Sequence, residues 1–112
     1  MIYHITSQIL WQQAQLNGYY EPLHFKSEGF IHTSTALQVE ATANRIFKDQ
    51  VDLVLLSIDE NILNCEVKYE NLDGGKELYP HIYGTLPLNA VVSYQELLPN
   101  AQGVFKIKLN ES

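Results

Sequence analysis

The sequence predicts an α+β fold: one domain of mixed or antiparallel sheets with two helices near the N-terminus. Three observations predict it. Helical spacing of apolar residues is confined to the first half. Apolar runs and two-residue alternation recur through the rest, and the strands of the second half follow one another closely enough to pair. A length of 112 residues suits a single domain over 1–112 with one modest core.

Ile2-Tyr3-His4-Ile5 is short, apolar and partly β-branched, and reads as a strand. Thr6 or Ser7 can cap the helix that follows. Leu10, Trp11 and Ala14 fall on one stripe of that helix and Gly18 suits its stop. Tyr19 to Phe25 has no clean period. Pro22 and the aromatic content predict an ordered, irregular loop, with His24 on its surface. Phe30 and Ile31 are strand formers, and Thr33, Ser34 and Thr35 offer hydroxyls where a second helix begins, so His32 sits at a strand-to-helix seam. That helix spans about Ala36 to Lys48, with Val39, Ala43, Ile46 and Phe47 at helical spacing and Thr35 with Gln38 fitting a capping box. Arg45 and Lys48 fall in its last turn, where the helix dipole favours cations.

Val51 to Ile58 is a nearly continuous apolar run, the pattern of a strand buried on both faces. Glu66 to Glu70 alternates as a half-buried strand, and Asn71-Leu72-Asp73-Gly74-Gly75 reads as a flexible turn. Glu77 and His81 have helical spacing, but Pro80 between them lacks an N–H, so 77–84 reads as extended, with Tyr79, His81 and Tyr83 on one face. Leu86 to Ala90 is a turn. Val91 to Leu97 and Val104 to Leu109 alternate as strands.

Thirteen acidic against seven basic residues give a formal net charge of -6, and the lysines are scattered, which argues against a nucleic-acid partner. No run is long and apolar enough to span a bilayer and no leader is evident at the start, so no membrane partner is expected. Cys65 is the one cysteine, which leaves no internal disulfide or cysteine cluster and favours the cytoplasm.

Chemistry concentrates at the strand ends. His4 ends the first strand, His32 the second, and Glu77 and His81 lie on the aromatic-rich extended segment. His32 reads either as a core histidine satisfied by backbone or as a ligand-facing one. His4, His32 and His81 could be zinc ligands, but no His-x-His pair supports it. There is no Gly-x-Ser-x-Gly elbow for a nucleophile. A ligand cleft in which histidines hold hydroxyls and tyrosines offer flat faces fits the residue types best.

The motifs Ile2-Tyr3-His4-Ile5-Thr6, Glu28-Gly29-Phe30-Ile31-His32-Thr33-Ser34, Asp52 to Asp59, and Glu77 to Gly84 with Leu86-Pro87-Leu88 together resemble the bacterial family catalogued as domain of unknown function nine-fifty-two. That family is grouped with the ADP-ribosyltransferase fold, nearest the RNA 2′-phosphotransferases. Tyr3-His4-Ile5-Thr6 is similar to the phosphotransferase Tyr-His-Gly-Thr motif, whose histidine holds the nicotinamide dinucleotide. Ile31-His32-Thr33-Ser34 resembles its Val-His-Leu-Ser motif. The resemblance implies an ADP-ribosyltransferase-like domain that binds NAD or a related nucleotide and cleaves or transfers at the nicotinamide–ribose bond. It makes His32, Glu77 and His81 the expected catalytic residues, Glu77 or His81 filling the acidic position. His4, Thr6, Ser34, Tyr79 and Tyr83 are the expected cofactor-binding residues. The arginines that bind RNA phosphates have no counterpart here, so an RNA substrate is not implied. The alternative is a non-catalytic module that binds a nucleotide or another small metabolite in the same cleft.

Overall fold

The structure is a computed structural model and describes residues 1–72 and 74–109. Its centre is β4 (Leu53–Ile58), buried at every position. β4 pairs antiparallel with β1 (Ile2–Ser7) on one side and β8 (Val91–Leu97) on the other. Side chains alternate across a strand, so β4 feeds two cores. Val54, Leu56 and Ile58 pack with Ile2, Trp11, Ala14, Ile31 and Ile82. Leu53 and Leu55 pack with Tyr3, Val39, Ala43, Leu97 and Phe105. The unbroken apolar run of this segment is explained by having a core on each face.

α1 (Gln8–Asn17) covers the first core. Ser7 accepts the Leu10 N–H at its N-terminus and Gly18, at φ +85°, ends it in the left-handed conformation. α3 (Val39–Ile46) covers the second core, burying Val39 and Ala43. It is shorter than the expected Ala36–Lys48, and residues 36–38 form a turn ahead of it. Gln38 Oε1 accepts the Thr35 N–H at 3.0 Å, one of the two bonds of the expected capping box, while Gln38 Nε2 donates to the Leu78 carbonyl. His32 therefore does not run into a helix N-terminus.

A second sheet has the order β3-β6-β5, from β3 (Ile31–His32), β6 (Tyr79–Ile82) and β5 (Val67–Glu70), all antiparallel. Its register sets Ile31 against Ile82 and His32 against His81, so Ile31 and Ile82 face the first core and the histidines face away. The two larger sheets meet at a bridge in which Tyr3 and Ser34 exchange backbone hydrogen bonds of 2.8 Å. Gly84 lies beside Cys65, where an added Cβ would stand 2.7 Å from the cysteine Cβ, so only glycine fits this crossing.

Three parts of the sequence reading are corrected. The loop from Tyr19 to Phe25 contains β2 (Tyr19–Tyr20), paired with β7 (Leu86–Pro87), and leads into a short helix, α2 (Phe25–Glu28). The helices number three among the described residues, not two. Val104 to Leu109 is not a strand. Its alternation reports one buried face, Phe105 being fully buried, while its backbone is held by α3 side chains. Asn44 accepts the Phe105 N–H at 2.7 Å and donates to its carbonyl at 2.9 Å, and Glu40 accepts the Ile107 N–H at 2.9 Å. Backbone groups near a core need partners, but not strand partners. No helix among the described residues is long and apolar enough to cross a membrane.

Candidate functional site

A cavity of about 420 Å³ opens between β1, α2, α3 and β6. All four histidines of the chain line it: His4, His24, His32 and His81. So does its one arginine, Arg45, with Ser34, Thr42, Glu28, Phe30 and Tyr79 among the other walls.

His4 is held from both ends. Nδ1 lies 2.5 Å from the His32 carbonyl oxygen and Nε2 lies 2.8 Å from Tyr20 Oη, which in turn lies 2.9 Å from Thr6 Oγ1. A carbonyl only accepts, so Nδ1 carries the proton. The ring is neutral, since burial lowers its pKa from 6.5 to about 4. Nε2 then needs a donor, and the Tyr20 hydroxyl is its partner, which orders the hydroxyl protons along this chain. Burial pushes the Tyr20 phenol up to about 12, so it stays protonated. His4 thus braces the cavity wall with both nitrogens occupied, and Thr6 lies behind it, outside the cavity lining.

His32 and His81 face each other across β3 and β6, ring centroids 5.2 Å apart and edge to face. Phe30 lies against both, at 4.8 Å from His32 and stacked at 4.4 Å on His81, and also meets the Tyr83 ring at 5.3 Å. Each histidine has its own carboxylate. The exposed His32 ring meets Glu28 Oε2 through Nε2 at 3.0 Å, a contact made possible by Gly29, whose φ of +85° ends α2 and folds Glu28 back over the strand. The buried His81 donates through Nδ1 to Glu70 Oε1 at 2.9 Å, and the Tyr83 hydroxyl donates to the same oxygen. Hydrogen bonds from Tyr83 and then His81 hold the Glu70 carboxyl below its ordinary pKa, so it is ionised.

Of the remaining residues singled out in the sequence, Ser34 and Tyr79 line the cavity and Tyr83 does not. Tyr83 acts on His81 from behind, through Glu70. Glu77 is exposed and outside the cavity lining, its carboxylate 3.4 Å from Tyr79 Oη and its carbonyl held by Asn71. The carboxylate in the cavity wall is Glu28. Among the described residues no group of three or more His, Cys, Asp and Glu side chains is placed to hold a metal ion.

The sequence model of a family described as a protein of unknown function, DUF952, matches residues 5–94. The chain belongs to that family. Three solved structures of protein CC0527 from Caulobacter crescentus are similar to it. The crystal structure has a TM-score of 0.84 at 34% identity, over 94% of this chain and 92% of that one. A double mutant of the same protein has a TM-score of 0.83 at 33% identity, over 94% and 92%. Its solution structure has a TM-score of 0.81 at 35% identity, over 92% and 89%. No curated protein matches the chain.

In this DUF952 chain several residues of the cavity escaped the sequence reading. His24 was expected on a loop surface. It is exposed, but at the N-terminal end of α2 it also lines the cavity. Arg45 stands in the last turn of α3, as its dipole reading required, and also lies 6.0 Å over the Tyr79 ring with no ion pair among the described residues. Glu28 could have been found from its four-residue spacing to His32 across a glycine. Glu70 could not: it sits opposite Tyr79 in the β5–β6 register and reaches His81 diagonally.

Proposed function

We propose that the cavity binds an anionic, hydroxyl-bearing small molecule of the nucleotide class. The observation that carries this reading is the gathering of every histidine and the single arginine of an acidic chain around one hollow. Its volume of about 420 Å³ falls within the usual small-molecule range of ~300–1,000 Å³. Arg45 and the Thr42 hydroxyl, which accepts from Ser34 at 3.2 Å, offer donors to phosphate oxygens, Tyr79 offers a ring face, and the His32 and His81 rings add hydrogen-bonding nitrogens.

NAD is the first ligand to test, on the strength of the motif resemblance to the ADP-ribosyltransferase fold, and the donor set fits one half of a dinucleotide. When bound, NAD would supply a nicotinamide leaving group on an anomeric carbon. Glu28, not Glu77, is the residue suited to offset positive charge developing on a ribose, because it is the carboxylate that lines the cavity. A second reading, binding without turnover, is favoured by His4. The motif gives this histidine the task of holding the dinucleotide, yet both its nitrogens are engaged within the protein.

A thermal-shift panel of NAD, ADP-ribose, AMP and nicotinamide tests the binding. Ligand at ~100 times its Kd stabilises by ~2.7 kcal/mol, several degrees for a domain of this size. No shift with any of them would overturn the proposal. Nicotinamide release separates the transferase from the binding module.

A further inference from the structure

We infer that the cavity selects a sugar phosphate, taking the phosphate at Arg45 and a sugar hydroxyl as a donor to Nε2 of His81. This rests on the nucleotide-class reading above and deepens it.

His81 has a defined tautomer. Its Nδ1 faces an ionised carboxylate, which has no proton to give, so Nδ1 carries the hydrogen. In the neutral ring Nε2 then has a bare lone pair. It has no hydrogen-bond partner among the described residues. Nor is it sealed, since Trp11 Nε1 is the fully buried side-chain polar atom left without a partner there. Because His81 is a wall of the cavity, that lone pair is available to a ligand, and it accepts. Glu70 is fixed in turn by the Tyr83 hydroxyl on the same oxygen, so Tyr83 and Glu70 are positioning residues for an acceptor at His81.

The other end donates. Arg45 lies over Tyr79, which is two residues before His81 on the same face of β6, so the guanidinium and the imidazole are separated along the strand by one alternation. Arg45 is unpaired among the described residues, and a guanidinium suits phosphate oxygens. Inorganic phosphate satisfies the arginine but carries no sugar hydroxyl to reach His81. A free sugar does the reverse. A ribose phosphate with an unblocked hydroxyl meets both.

The test uses the full chain with AMP, 2′,3′-dideoxy-AMP and adenosine, measured by calorimetry, and 15N NMR of the histidine ring at pH 8. The expected result is a neutral Nδ1–H tautomer at His81 and AMP binding at least about tenfold tighter than either analogue. Arg45→Ala should erase the preference over adenosine. Glu70→Gln, checked for folding by circular dichroism, should lower the Nδ1–H population and shrink the preference over the dideoxy nucleotide. AMP and its dideoxy analogue binding equally, or an Nε2–H tautomer, would overturn this inference and leave the nucleotide reading standing. Failure of AMP to bind would overturn this inference, and the nucleotide reading falls with it only if none of the rest of the thermal-shift panel binds.

Discussion

The imidazole of His4 and the backbone carbonyl of His32 are joined at 2.5 Å, so one histidine of the cavity holds the strand that carries another. Because His4 is buried and neutral, the unfolded chain binds a proton between pH 6.5 and about 4 that the folded chain does not. Stability therefore falls as pH falls through that window, by roughly 3 kcal/mol at most. The depressed pKa of Glu70 adds a separate loss at more acid pH, since its contribution is present above its ordinary value of 4.5 and disappears as the carboxyl protonates below it. Urea denaturation at pH 7, 5.5 and 4.5 should show this slope, and His4→Asn should flatten the upper part of it.

His32→Ala should leave stability within about 0.5 kcal/mol of the parent, because the ring is exposed and its partner Glu28 is too. The same variant should lose most of any nicotinamide release and weaken nucleotide binding. A variant that unfolds, or one that keeps full binding and turnover, removes His32 from the site.

Arg45→Ala is expected to weaken anionic ligands by roughly 10- to 100-fold, the size of a charge-assisted hydrogen bond of about 1.5–3 kcal/mol. The melting temperature without ligand should hardly move, since the residue is exposed and its visible contact is the Tyr79 ring at 6.0 Å. Equal affinity for AMP in parent and variant would place the anion elsewhere.

How far these residues were legible follows from what sequence patterns report. β4 was legible because burial on two faces leaves no polar positions in the run from Leu53 to Leu56. α1 was legible from Ser7 and Gly18, and the extended 77–84 segment from Pro80. The meeting of His4, His32 and His81 at one cavity was legible because each ends or occupies a strand beside an apolar pattern. Side of approach was not. Glu77 is near His81 in sequence, yet it precedes β6 and faces the Asn71 turn, whereas Glu70 reaches His81 through strand register alone. The segment from Val104 to Leu109 shows the same limit, since alternation marks a buried face and says nothing of what holds the backbone.

Phe30→Ala should destabilise the protein by about 3–5 kcal/mol, as truncation of a buried phenylalanine does, and should free the rings of His32, His81 and Tyr83 that rest on it. Phe30→Leu should fold with a smaller loss and still weaken nucleotide binding, seen by denaturation and calorimetry on the two variants side by side.

Asn44→Ala deprives the buried Phe105 of partners for both its N–H and its carbonyl. The expected loss is about 2 kcal/mol, with hydrogen-exchange protection of the Phe105 amide falling first and the β4 amides unaffected until global unfolding.

That fastening has a consequence for how the chain can change in length. A residue inserted into a ladder turns every later side chain to the wrong side. The carboxy-terminal run is instead tethered at Phe105 by Asn44 and at Ile107 by Glu40. An insertion after Ile107 can bulge outward while both tethers and the Phe105 ring stay where they are. An insertion in this run should therefore be tolerated better than one within β4, where the pairing with both neighbouring strands would slip.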